Sequence, residues 1–187
     1  IPHNPVAATK TLPSIGADPL PATARCRRRR SGFLFAPGES SLMFETIVVA
    51  TDGSESVSRA VSVALDLADR FDAAVHALSV VDTTEVDSSP QSVQSDLREA
   101  LSTQADDALQ TVTADTDQPV TTAVREGRPA DEIADYARAV DADMVATGTR
   151  GRHGENRFLL GSVAERVVRT CPVPVLTVRQ LSDAEAA

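Results

Sequence analysis

Met144-Val145-Ala146-Thr147-Gly148-Thr149-Arg150-Gly151, followed after nine residues by Gly161-Ser162-Val163-Ala164-Glu165-Arg166-Val167-Val168-Arg169, is the stretch from which the organisation of this chain can be read. The apolar run reads as the end of a strand, the glycines as a loop, and the last segment as a helix opening at Gly161-Ser162. A strand that passes through a glycine loop into a helix N-terminus makes an anion cradle. Glycine lets the backbone approach a phosphate oxygen closely, and the unpaired N–H groups of a first helical turn point at it with the helix dipole behind them. Nucleotide phosphate binding is the first expectation; the alternative is a glycine-rich surface loop.

Working outward, strand and helix signals alternate from Phe44 onward. Thr46-Ile47-Val48-Val49-Ala50 is a short β-branched run suited to a strand buried on both faces. Thr51-Asp52-Gly53-Ser54 turns the chain, and Val57, Ala60, Val61, Ala64, Leu65 and Ala68 make a helical stripe. Residues 73–81 form a second strand. Pro90 opens a long helix with Val93, Leu97, Leu101, Ala105, Ala108, Leu109 and Val112 on one side. Residues 120–124 form a third strand, and Pro129, at a first-turn position, begins a helix through Ile133, Ala134, Ala137 and Val140. Residues 143–147, 162–170 and 174–178 read as strand, helix and strand, and 181–187 as a flexible tail. Five strands interleaved with four helices predict an α/β fold, a doubly wound parallel sheet with helices on both faces. Ligands in such sheets bind at the carboxyl ends of the strands beside the point where strand order reverses. Both notable loops, Thr51-Asp52-Gly53 and Gly148 to Gly161, lie at carboxyl ends.

Charge is divided unevenly along the 187 residues. Residues 1–42 carry +4, from Lys10, Arg25 and Arg27 to Arg30 against Asp18 and Glu39, which leaves −13 for the remainder against a chain total of −9. Residues 43–187 contain no lysine. Such an aspartate-rich, arginine-only surface resembles that of proteins from salt-loving archaea. Its field disfavours bulk binding to nucleic acid or anionic membranes, so an anionic ligand must be held by local donors. Residues 1–42 are rich in Pro, Ala, Ser and Arg without periodicity and read as a disordered extension, upstream of a working start at Met43. Cys26 and Cys171 give neither a disulfide framework nor metal-ligand spacing. No run has membrane-spanning length and no secretory signal is evident, so a cytoplasmic protein is expected.

The opening Ile47 to Ser54, the strand end Val80-Val81-Asp82, the pattern Gly148-x2-Gly151-x9-Gly161-Ser162 and the closing Cys171-Pro172-Val173-Pro174-Val175-Leu176-Thr177-Val178 together resemble the universal stress protein (UspA-type) family over residues 43–180, in its ATP-binding branch. The resemblance implies strand order 3-2-1-4-5. It implies that Asp52, with Thr51 beside it, and the backbone of Val80 hold the adenosine part of ATP. Gly148, Gly151, Arg152, Gly161, Ser162 and Val163 would line the phosphates, with magnesium or manganese held by phosphate oxygens and water. It further implies a homodimer through the last strand, Pro174 to Val178, and a nucleotide-dependent stress-response role.

Several of these residues have plainer readings. Asp52 could cap the first helix, with Glu55 completing a capping box, a role compatible with ligand contact. Ser162 could be only an N-cap. Arg150 stands where many members have histidine, and either adds charge near the phosphates or points to solvent. His76 reads as a core residue. A P-loop lysine is excluded in residues 43–187, and no GxGxxG follows the first strand. No dedicated water-activating base stands out; Asp52, His153 and Glu155 are the candidates. The expectation is ATP binding with slow or no hydrolysis, and no catalytic residue is assigned. The alternatives are a slow ATPase or phosphotransferase using the same loop, and a structural dimer that binds no nucleotide.

Overall fold

The computed structural model describes residues 44–150 and 160–180. In chain order the elements are β1 (Thr46–Ala50), α1 (Glu55–Phe71), β2 (Ala74–Asp82), α2 (Thr83–Ser88), α3 (Gln94–Ala114), β3 (Val120–Gly127), α4 (Pro129–Ala139), β4 (Met144–Gly148), α5 (Ser162–Thr170) and β5 (Val175–Val178). The strands form one sheet in the order β3-β2-β1-β4-β5, with every pair parallel. The predicted doubly wound sheet and its strand order are both present. The order reverses between β1 and β4, which pair through Ile47↔Met144 to Ala50↔Thr147.

Alternation along the strands divides the core into two layers. Ile47 and Val49 of β1, Val75 and Ala77 of β2, and Met144 and Ala146 of β4 pack with Val61, Leu65, Leu109 and Val112 of α1 and α3. Val48, Ala50, Leu78 and Val145 face the other way, against Ile133, Tyr136, Ala137 and Val167 of α4 and α5. Ile47, Val48, Val49 and Val145 have no exposed surface, so the central strands are apolar on both faces. Each such side chain contributes about 1.5–3 kcal/mol by leaving water.

Element ends have local causes. Asp143 Oδ2 accepts from the N–H groups of Glu45 (2.7 Å) and Thr46 (2.9 Å), tying the entry of β1 to that of β4. Pro129 begins α4 as expected, with Asp131 and Glu132 in the first turn. Asp72 ends α1 in the left-handed region (φ 53°), its N–H returning to the carbonyls of Ala68 and Asp69.

Three boundaries differ from the sequence reading. Pro90 does not open the long helix: it heads a turn closed by the Val93 N–H on its carbonyl, and α3 begins at Gln94, which leaves Val93 exposed. Between β2 and that turn lies the unanticipated α2, capped by Asp82, whose Oδ1 accepts from the Thr84 N–H at 2.8 Å. β3 runs on to Gly127, because Val81 and Asp82 of the longer β2 continue to pair with Glu126 and Gly127.

Candidate functional site

The site grows out of the strand-order reversal. Leaving β1, Thr51 donates its N–H to Leu78 O at 2.9 Å, toward β2. Leaving β4, Thr149 donates to Val178 O at 3.1 Å, toward β5. The two chains part, and a cleft of about 340 Å³ opens between them. Thr51, Asp52, Val80, Gly148, Gly161, Ser162 and Val163, all singled out in the sequence, line this one cleft. Gly151 and Arg152, together with His153 and Glu155, lie outside the described residues.

On the β1 side the loop is held by its own side chains. Thr51 Oγ1 accepts from the Gly53 N–H at 3.1 Å. Asp52 Oδ1 accepts from the Ser54 N–H at 3.0 Å and from the Ser54 hydroxyl at 2.6 Å. Asp52 is therefore not the N-cap of α1. Ser54 occupies that position without a side-chain cap bond, and Asp52 instead closes the turn before it. Gly53 makes that turn at φ 75°, where L side chains are strained, and a Cβ there would lie 3.0 Å from Ala108 Cβ.

On the β4 side the backbone comes close to α1. A Cβ on Gly148 would lie 3.0 Å from Ser56 O, 3.2 Å from Arg150 O and 3.2 Å from Val57 Cα. Ser56 Oγ donates to Arg150 O at 3.2 Å, latching the first turn of α1 to this loop. Across the described gap the chain returns at Gly161, which donates its N–H to Thr149 O at 2.7 Å. Gly161, not Ser162, is the N-cap of α5, and no side chain caps the helix. The amide of Gly161 is thus engaged by protein, whereas Ser162, Val163 and Ala164 occupy the first turn and line the cleft. An α-helix provides no internal partner for the N–H groups of its first turn.

The opposite wall is apolar, built from Leu78, Val80, Val81, Leu101 and Ile133. Leu78 directs its carbonyl to β1, so by the alternation of a strand Val80 directs its main-chain N–H and C=O to the same side. Ala50, opposite Leu78, is the last paired residue of β1, so the Val80 groups point past its end. Charge in the described lining comprises Asp52, Asp82 and Glu85 against Arg150. Arg150, for which the sequence allows either charge near an anion or a solvent-facing role, lines the cleft, and its Nε is buried without a hydrogen-bond partner.

Behind the apolar wall, His76 Nδ1 and Tyr136 Oη are 3.0 Å apart, and the Arg125 guanidinium lies 5.5 Å from the Tyr136 ring centre. Burial holds the His76 ring below its ordinary pKa and pushes the Tyr136 phenol up, against a smaller opposing pull from Arg125. Tyr136 is buried in the core, whereas His76, expected as a core residue, is only partly buried beside it. Among the described residues no group of three or more His, Cys, Asp or Glu side chains could hold a metal ion, and no helix is long and apolar enough to cross a membrane.

A cleft with one apolar wall, strand-end main-chain groups beside it and a helix N-terminus opposite can hold a flat apolar group at one end and an anion at the other. Comparison with known proteins agrees with this architecture. Universal stress protein MJ0531 of Methanocaldococcus jannaschii is 37% identical over 142 residues, covering 74% of this chain and 84% of its own. The structure of the universal stress protein UspA from Lactobacillus plantarum superposes with a TM-score of 0.63 at 32% identity, covering 72% of this chain and 97% of its own. A universal stress protein solved in complex with cAMP gives a TM-score of 0.54 at 26% identity, covering 73% and 97%. Residues 43–179 match the profile of the universal stress protein family, and the chain belongs to that family.

Proposed function

We propose that the cleft between β1 and β4 binds an adenine nucleotide, and that its occupancy is the signal this universal stress protein transmits. The observation that carries the reading is the meeting, in one cleft, of the α5 first turn, the close-packed Gly148 and the main chain of Val80. The base would lie against Leu78, Val80 and Ile133, its edge meeting the Val80 main chain as an adenine edge pairs with one donor and one acceptor. Asp52 and Thr51 would sit beside the ribose. The phosphates would meet the amides of Ser162 and Val163 and the loop at Gly148, with Gly151 and Arg152 contributing from the segment beyond. The donor set fits the group: the first-turn amides of α5 and the arginine that lines the cleft suit phosphate oxygens. Magnesium or manganese would be held by phosphate oxygens and water rather than by a protein cage. That a solved relative binds cAMP supports an adenine nucleotide as the ligand class.

The reading is of a nucleotide-retaining regulator rather than an efficient ATPase. Asp52 and Asp82 each use Oδ1 to hold the main chain of their own turns, a structural role for both carboxylates. The partner surface is β5, an outer strand of the sheet whose Val175, Leu176 and Thr177 are half-buried; an edge of that kind is suited to pairing with a second copy. The test is mass analysis of small molecules released from the purified chain, with thermal unfolding at high salt with and without ATP. Adenine nucleotide in the extract and a raised Tm are expected; the absence of both would end the proposal. Single-turnover hydrolysis that collapses in Asp52→Ala while ATP affinity persists would favour the enzyme instead.

A further inference from the structure

We infer that Arg150 is the residue by which this cleft distinguishes polyphosphate nucleotides from those with a single phosphate. The inference rests on the adenine-nucleotide reading above and adds which nucleotide the site favours. Three observations carry it. First, the backbone of this segment is fixed: Thr149 donates to Val178 O (3.1 Å) and accepts from Gly161 (2.7 Å), while Arg150 O accepts from Ser56 Oγ (3.2 Å). The main chain of Arg150 is therefore anchored in the cleft wall. Second, its Nε is buried and makes no hydrogen bond. A buried charged donor without an acceptor is costly, and native proteins almost always satisfy such groups with a partner, water or ligand. Third, Arg150 is the one cation among the described residues lining the cleft, where Asp52, Asp82 and Glu85 supply negative charge.

The chemistry divides the labour. The first-turn amides of α5 and its dipole can accommodate one phosphate, as helix N-termini do without any cationic side chain. Each further phosphate brings added negative charge into an acidic cleft and calls for a countercharge. The planar guanidinium offers several N–H donors in a fixed fork that matches phosphate oxygens two at a time. Arg150 thus acts on the second and third phosphates, while adenosine is held by Val80 and the apolar wall. A single-phosphate ligand such as cyclic AMP draws little on it.

The experiment measures dissociation constants of ATP, ADP, AMP, cyclic AMP and adenosine by calorimetry, for the full chain and for Arg150→Gln, at one fixed high salt. Wild type should prefer ATP to AMP by about 10- to 100-fold, the range of a charge-assisted contact. In Arg150→Gln the ATP-to-AMP and ATP-to-adenosine affinity ratios should each fall by about tenfold or more. Arg150→Met, which retains an aliphatic stem, gives the same reading should the glutamine variant fold poorly, as judged by ligand-free unfolding. Unchanged ratios in a folded variant, or adenosine affinity falling in step with ATP, would overturn the role of Arg150 and leave nucleotide binding standing. Wild type binding neither adenosine nor any nucleotide would instead overturn the underlying reading.

Discussion

Gly148→Ala probes the closest approach in the cleft. The added methyl would lie 3.0 Å from Ser56 O, 3.2 Å from Arg150 O and 3.2 Å from Val57 Cα. All three neighbours are main-chain atoms, so no side chain can swing aside. They belong to the first turn of α1 and the loop after β4, which the Ser56–Arg150 hydrogen bond joins. Relief requires these two elements to separate by a few tenths of an ångström. Overpacking of this sort costs about 1–3 kcal/mol. Gly148 does not have a positive φ, so alanine gains back about 0.4–1 kcal/mol by restricting the unfolded chain. The net is a loss of about 1–2 kcal/mol, a fall in Tm of about 3–6 °C for a domain of this size. Urea unfolding at fixed high salt, with calorimetry beside it, reads the stability. Calorimetric titration reads the second consequence, a weaker hold on nucleotide as the separated loop carries Arg150 away from the α5 N-terminus. An alanine variant as stable as wild type, with unchanged ATP affinity, would refute the steric argument.

Asp143→Ala leaves the Glu45 and Thr46 N–H groups without their acceptor and should cost about 1–3 kcal/mol in urea unfolding, with Asp143→Asn recovering part; a loss below about 0.5 kcal/mol would sink this assignment. Burial lowers the His76 pKa from 6.5, so on acidification the unfolded chain takes up its proton first. The stability due to neutral His76 is complete above pH 6.5 and declines below it, and His76→Gln should lessen that decline; parallel pH curves for the two proteins would contradict it. Asp131→Ala removes both acceptors of the half-exposed Arg166 pair, each at 3.2 Å, and should cost no more than about 1 kcal/mol, less still at high salt; a larger cost would mean the pair is not screened by solvent. Raising potassium chloride should strengthen ATP binding from low to moderate ionic strength, because the acidic body repels the ligand over distances that salt screens; a steady fall in affinity would point to counterion release from a basic site instead.

What could be read in the sequence, and what could not, follows the strength of each physical signal. The central strands announce themselves because Ile47 to Ala50 and Met144 to Thr147 are buried on both faces and must be apolar throughout. The doubly wound class followed from alternation of strand and helix, whereas the strand order came with the resemblance. α2 escaped because only Val86 of its six residues is buried, too little to show a period. The start of α3 was misplaced because Pro90, a good first-turn residue, is equally good at opening a turn. β3 continues through Arg125, Glu126 and Gly127, whose polar character suits an outer strand but gives no strand signal. At the site Gly148 packs against the backbone of α1, a steric demand for glycine that the spacing alone does not separate from ligand contact. The burial of the Arg150 Nε was invisible, since it depends on how the loop turns against α1.

A lysine-free, strongly acidic domain appears ill suited to anions until the origin of its donors is traced. Where the strand order reverses, β1 and β4 send their chains apart, and the polar groups of neighbouring elements lose the strand that would have paired with them. Val80 extends past the end of β1, and α5 begins with a turn that no side chain caps. These main-chain donors and acceptors need partners that the sheet cannot supply. They are fixed by topology and carry no side-chain identity, so the surface can exchange lysine for aspartate without altering them. In the proposed reading side chains add the selectivity: Asp52 closes the turn beside the proposed ribose, and Arg150 lines the cleft where additional phosphates would lie. On the proposed reading, the backbone makes the site, and Arg150, the one cation among the described residues that line it, bears on how much negative charge it accepts.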